Sequence, residues 1–339
     1  MKTVLGRFGM GSPKSLWLAL LAAGVWVTQV HAAPLKVGLV LDKGGKDDKS
    51  FNAAANRGAE DAKKKLGIEL KVVEATDDNA FEPLMRALAQ KNFDLIIGVG
   101  VSQAEAIQKV SAAFPERKFA VVDAEVSGPN VRSLLFQEHE GSFLMGVAAA
   151  MASKTGKVGF IGGMEIPLIK RFELGFRSGA RHILPQAEVF SNYVGVTSEA
   201  WNNPPKCKEL ALSQYDRGAD VIFSAAGASS LGLFDAAEEK NKLAIGVDSN
   251  QNWIKPGRVL TSMLKRVDLA VERTIETAAN GKFQSGVVRY GLGDQGVDAA
   301  IDQHNEKVLT PAMRSKLEQV KKQILAGKLK VPDYYQQRK

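Results

Sequence analysis

Asp42, Asp123 and Asp248 each close a short β-branched run, in "KVGLVLD", "KFAVVD" and "LAIGVD". A fourth acid, Asp48, lies in "LDKGGKDDKSFN" beside Phe51 and Asn52. Carboxylates accept hydrogen bonds, so such a set favours a ligand that presents hydroxyl or N–H groups and repels phosphate. Three aromatic residues could sandwich a flat ring: Phe51 where loop meets helix, Phe223 in "ADVIFSAAG" and Trp201 in "EAWNNPPK". Taken singly, each residue has a plainer use. Asp47, Asp48 or Ser50 suits a helix N-cap, an aspartate after a strand suits a turn, and Phe223 inside an apolar strand suits the core. Taken together, acids at the ends of separate strands point to a cleft that binds a neutral, cyclic, hydroxyl-rich molecule.

Other chemistries lack their residues. The oxygen ligands of "DKGGKDDKSFN" do not alternate as a calcium loop requires, and no Glu closes it at the right offset. His31, His139, His182 and His304 are scattered and Cys207 is the only cysteine, which argues against zinc and excludes an intramolecular disulfide. There is no G-x-S-x-G elbow, no phosphate loop ending in Gly-Lys-Ser/Thr, and no G-x-G-x-x-G after the first strand. Neither metal, cofactor nor catalysis is expected.

To bring those strand ends together the chain must fold as alternating strands and helices. "KVGLVL", "LKVVEA", "DLIIGVG" and "KFAVVDA" read as buried strands, and the segments between them repeat apolar residues at helical spacing. The pattern restarts after "VRSLLF" with "GKVGFIGG", "AEVFSNYVG", "ADVIFSAAG" and "LAIGVDS". Continuous apolar strands separated by helices predict parallel sheets covered on both faces, in two similar α/β lobes. Ligands in such sheets sit beyond the carboxyl ends of the strands, where Asp42, Gly98, Gly100, Asp123, Gly227 and Asp248 fall. The amino-terminal lobe is expected over 33–134, completed by about 259–283. The carboxyl-terminal lobe is expected over 135–258, completed by about 284–339. No linker rich in Pro, Ser or Gly divides them, so several crossings are expected.

Residues 1–32 read as an export signal, with Lys2, Arg7 and Lys14, no acid, a short apolar core and a small-residue site at Val30-His31-Ala32. No cysteine stands at the cut, so the expectation is a soluble periplasmic protein and not a lipoprotein. The net charge of +8 includes those three cations. Much of the remaining excess lies in the last helical stretch as a solvated face, without the clustered Arg and interleaved aromatics of a nucleic-acid binder.

The segments "VGLVLDKGGKDDKSFNAAANRGAE", "GKVGFIGGMEIPLIKRFELGFRSGA", "IGVDSNQ" and "VLTSMLKRVD" closely resemble the basic membrane protein family of ABC-transporter substrate-binding components, which includes purine nucleoside receptors. The resemblance covers nearly the whole chain after the leader and implies the type I periplasmic-binding-protein fold, closing on its ligand. It implies a nucleoside as ligand, an inner-membrane ABC permease as partner, no nucleic acid, and a monomer. By the same resemblance Asp42 contacts the ligand, Phe51 stacks on the base with Asn52 beside it, and Asp123 accepts base hydrogen bonds. Asp248 and Lys265 then hold the ribose hydroxyls, and the second stacking wall falls to Phe223 ahead of Trp201. The chain departs from the family at "AGASS", where A-G-G-T-G is usual, so side chains are added near Gly227. It also reads "GVDSNQ" for the commoner "GVDSDQ". The rival reading is a signalling or regulatory receptor on the same fold, weakened because no helix-turn-helix precedes the first strand.

Overall fold

The computed structural model describes Gly9 and residues 33–337, and the expected leader with its cut after Ala32 lies outside the described residues. The first half of the chain runs β1 (Lys36–Leu41), α1 (Phe51–Leu66), β2 (Glu69–Glu74), α2 (Phe81–Gln90), β3 (Leu95–Val99), α3 (Ala104–Ala113), β4 (Lys118–Val122) and β5 (Val131–Phe136). The second runs α4 (Glu138–Ala152), β6 (Lys157–Met164), α5 (Pro167–Ile183), β7 (Glu188–Gly195), α6 (Pro204–Asp216), β8 (Val221–Ala225), α7 (Leu231–Glu239), β9 (Leu243–Asp248) and β10 (Val259–Lys265). It closes with α8 (Val267–Ala279), β11 (Gly286–Tyr290), β12 (Val297–Ala299) and α9 (Pro311–Leu325).

Two six-stranded sheets result, ordered β11-β5-β4-β3-β1-β2 and β12-β10-β9-β8-β6-β7. All pairs are parallel except β10 with β12. The inner strands are apolar on both faces because helices cover both; β3 and β8 are buried along their whole length. Each sheet reverses its strand order beside its first strand, between β1 and β3 and between β6 and β8. That reversal opens a crevice at the strands' carboxyl ends.

The late elements distribute differently from the expectation. β10 pairs with β9 and so belongs to the carboxyl-terminal sheet, although 259–283 was assigned to the amino-terminal lobe. β11 pairs with β5 in the amino-terminal sheet, although 284–339 was assigned to the other lobe. Within 259–283 only α8 joins the amino-terminal lobe, held to α1 by the ion pairs Arg57–Asp268 at 3.2 Å and Lys65–Glu272. The chain therefore crosses between the sheets three times: between β5 and α4, at Arg266 and between β11 and β12.

Candidate functional site

The loop after β1 is built by its polar side chains. Gly44 and Gly45 have φ of +102° and +68°, backbone that residues with a Cβ rarely adopt, and this lets the chain turn back toward α1. The Asp48 carboxylate accepts from the N–H groups of Ser50, Asn52 and Ala53 at 2.8–2.9 Å, so Asp48 and not Ser50 caps the first turn of α1. Asn52 pins the turn: its Oδ1 accepts from the Asp42 N–H at 3.0 Å and its Nδ2 donates to the carbonyls of Asp42 and Lys43. Ser50 is left free to reach the other lobe, where its hydroxyl donates to Asp248 Oδ2 at 2.6 Å.

Asp123 and Asp248 end β4 and β9 with φ of +70° and +63°. Non-glycine residues held there cost on the order of 1 to 3 kcal/mol each, which aims both carboxyls into the cleft at the expense of local strain. Between them lies Lys265, the last residue of β10 and 2 % exposed. Its Nζ is 2.6 Å from Asp123 Oδ2 and 3.3 Å from Glu138 Oε1. The rings of Phe51, Phe136 and Phe172 stand 5.1–5.5 Å away around it. Burial alone would pull this lysine down, but Asp123, Glu138 and Asp248 hold its ammonium above the ordinary value. Asp123 Oδ1 is buried and has no hydrogen-bond partner among the described residues. Such an atom suits a ligand donor.

Burial pushes Asp248 up to about 7, against the pull of Lys265 and Ser50, and pushes Asp42 up to about 6. Both acids hold a proton in the folded chain at pH values where the unfolded chain has released it. Stability from these groups is thus full at acid pH and is lost as pH rises through their folded values. His139, which burial lowers to about 4, works in the opposite direction, so Asp248 must be isolated by comparison. Asp248→Asn is expected to match the parent near pH 4. It should exceed the parent by on the order of 2 to 4 kcal/mol above pH 8 in ligand-free urea titrations. A difference that does not grow with pH contradicts the buried acid.

These residues border one cavity at the two strand-order reversals. One wall is Phe51, half-buried at the start of α1. A second aromatic lining residue is Trp201, from the short turn Ser198–Trp201 after β7. Trp201 fits there because β6 offers a glycine: a Cβ on Gly163 would lie 2.1 Å from its ring. Gly227, at φ +57°, lies below, where a Cβ would come 3.2 Å from the Trp201 carbonyl. Leu168, Ile169 and Phe172 from the start of α5 supply an apolar side.

Asp42, Asp48, Phe51, Asn52, Asp123, Trp201, Gly227, Asp248 and Lys265 all line this cavity. Phe223 does not. It is fully buried against Phe160, Phe172 and Phe176, with ring centroids 5.5–6.5 Å apart, so the order in which Phe223 preceded Trp201 is reversed. Its strand is covered on both faces, which leaves the side chain facing the core. The resemblance put Asp123 on the base, whereas here its carboxylate is tied to Lys265 beside Asp248. Sequence reading missed Lys43, Phe172 and Glu138. Glu138 was visible as one of two acids, with Glu140, in the first turn of a helix whose remainder is largely apolar, "EHEGSFLMGVAAAMA". Cys207 is buried and its thiol pushed up to about 12, in keeping with a packing role.

A family profile described as "ABC transporter substrate-binding protein PnrA-like" matches residues 35–334. The chain is 34 % identical over 322 residues to a CD4+ T-cell-stimulating antigen of Listeria monocytogenes, covering 88 % of each. It is 32 % identical over 321 residues to the ABC transporter nucleoside-binding protein BmpA of Lactococcus lactis, covering 88 % of this chain and 89 % of that one. Among solved structures, an ABC transporter solute-binding protein from Aeropyrum pernix superposes with a TM-score of 0.81 at 28 % identity, over 88 % of this chain and 94 % of that one. The fold is thus the type I periplasmic-binding-protein fold, two parallel-sheet α/β lobes.

One expectation is overturned. Similar proteins from three Pyrococcus species, 31–33 % identical, are named lipoproteins, against the reading of a soluble periplasmic protein that is not a lipoprotein. That reading rested on one residue type at one junction, and the junction precedes the described residues. The strand order, the paired strand-end carboxylates and the profile match agree: the chain belongs to the Bmp family of PnrA-like ABC transporter substrate-binding proteins, with a small-molecule ligand and a permease as its partners.

Proposed function

We propose that this protein captures a nucleoside, a purine nucleoside by preference, and passes it unchanged to its ABC permease. The observation that carries the reading is a single cavity lined by the rings of Phe51 and Trp201 and by carboxylates gathered around one buried lysine. Two aromatic rings in one cavity suit a flat base. Asp248, Lys265 and the unpartnered Oδ1 of Asp123 suit two vicinal hydroxyls, since carboxylates accept from a diol while an ammonium donates to it. In this assignment Asp123 serves the sugar, and Asp42, at the other end of the cleft, meets N–H groups of the base. Both lysines that line the cavity are already held by carboxylates, Lys265 by Asp123 and Glu138 and Lys43 by Glu199, which disfavours a phosphorylated ligand. The Lactococcus relative, named a nucleoside-binding protein, supports this reading.

Mass spectrometry of small molecules released on denaturing the purified protein tests the proposal. A nucleoside is expected, and a sugar, amino acid or metal complex in its place refutes it. Phe51→Ala is expected to weaken nucleoside binding about 5- to 150-fold, the 1 to 3 kcal/mol of one base stacked on an aromatic ring. Phe51→Tyr and Phe51→Trp should retain most of the affinity because the flat face survives. Unchanged affinity with a large fall in melting temperature would assign Phe51 to the core instead.

A further inference from the structure

Two polar contacts cross the mouth of the cleft and belong to neither the sugar end nor the base end. Lys43 Nζ, from the loop after β1, donates to Glu199 Oε1 at 2.5 Å. The Ser198 hydroxyl donates to Asp78 Oδ2 at 3.0 Å, and Asp78 opens the short turn that follows β2. Both contacts join the amino-terminal lobe to the turn Ser198–Trp201 that carries the aromatic wall. The same turn is clipped from its own lobe by Ser229, the first serine of "AGASS". The Ser229 hydroxyl accepts from the Asn203 N–H at 2.6 Å and donates to the Ala200 carbonyl at 2.7 Å. Trp201 thus sits on a segment tied to one lobe by Ser229 and to the other by Lys43 and Asp78. Glu199 is 72 % exposed at its side chain but Lys43 only 13 %, so the pair lies at the rim with its cation partly withdrawn from water.

We infer that Lys43–Glu199 and Asp78–Ser198 form a latch that holds the two lobes closed and positions Trp201 over the ligand, so that it governs release of the ligand rather than its recognition. The inference rests on the cleft being the ligand site and not on the identity of the ligand. Capture occurs with the mouth open, when neither contact exists. Removing the latch therefore leaves association unaffected and raises dissociation. Each contact alone is a rim interaction of modest strength, so Glu199→Ala should speed release about 2- to 5-fold and Glu199→Ala with Asp78→Ala about tenfold.

The test has two arms. Nitroxide labels on Lys63→Cys and Glu209→Cys, exposed positions on the two lobes, report the interlobe distance by pulsed electron resonance without ligand. Stopped-flow tryptophan fluorescence reports the release of inosine. The latch predicts that Glu199→Ala with Asp78→Ala shifts the ligand-free distances toward longer values and speeds inosine release, with melting temperature unchanged. The exchanged pair Lys43→Glu with Glu199→Lys should restore the parent distances. Identical distance distributions for parent and double variant overturn the latch. If inosine fails to bind the parent, guanosine and adenosine decide the nucleoside proposal, and the distance arm still decides the latch.

Discussion

Lys265→Met is expected to lower the stability of the ligand-free protein by about 3 to 5 kcal/mol and to abolish nucleoside binding. The substitution keeps length and apolar bulk, so the rings of Phe51, Phe136 and Phe172 still have something to pack on. What it removes is the positive charge between Asp123 and Glu138, whose side chains are 6 % and 1 % exposed. Glu138 keeps Arg171 at 2.5 Å, but Asp123 loses the lysine paired with it. Burial already holds Glu138 above the ordinary carboxylate range and Lys265 pulls it back down, so without the lysine its folded value rises further, and the deficit should shrink as pH falls and be greatest above neutrality. Lys265→Met with Asp123→Asn should regain much of the stability, because a buried pair replaced as a pair costs little, and should not regain binding. Urea midpoints for the two variants at pH 5 and pH 8 read the result. A single variant within about 1 kcal/mol of the parent at pH 8 contradicts the buried-pair account.

Asp248→Ala should cost roughly 2 to 4 kcal/mol of nucleoside affinity, as when a charged hydrogen bond is lost while its partner stays buried. At neutral pH the ligand-free variant should melt no lower than the parent, because an acid that burial pushes up to about 7 is costly to ionise. Loss of affinity with gain of stability is the signature of a residue kept for binding. The control is a 2′,3′-dideoxynucleoside, which lacks the two hydroxyls assigned to this end. The parent should bind it weakly and Asp248→Ala should lose little further. If the variant loses affinity for nucleoside and dideoxynucleoside by the same factor, Asp248 does not serve the sugar.

The layers and the position of the cleft were legible because they follow from local patterns. Apolar runs mark strands buried on both faces, and polar residues after them mark the sheet's carboxyl edge. Asp42, Asp123 and Asp248 could be picked out for that reason, and Asp48 and Asn52 lay beside the same turn. What was misjudged depends on contacts distant in sequence. β10 and β11 are short apolar strands whose sheet is chosen by backbone pairing with β9 and β5, which neither sequence encodes by itself. Phe223 and Trp201 are both aromatic residues near β8, and only the glycine at 163 shows which ring has room over the cleft. The link from Asp123 to Lys265 spans 142 positions and could not be read from spacing.

The proposal's central claim is that the cleft takes a neutral nucleoside through an aromatic slot and a carboxylate-ringed diol site. Calorimetric titration of the refolded, ligand-stripped protein with inosine, guanosine, adenosine and their 5′-monophosphates tests it most directly. At least one nucleoside should bind at one site per chain. Its monophosphate should bind on the order of 100-fold more weakly or worse, since the added charge enters among Asp42, Asp123 and Asp248. No binding by any of the three nucleosides, or a monophosphate that binds as tightly as its nucleoside, contradicts the account.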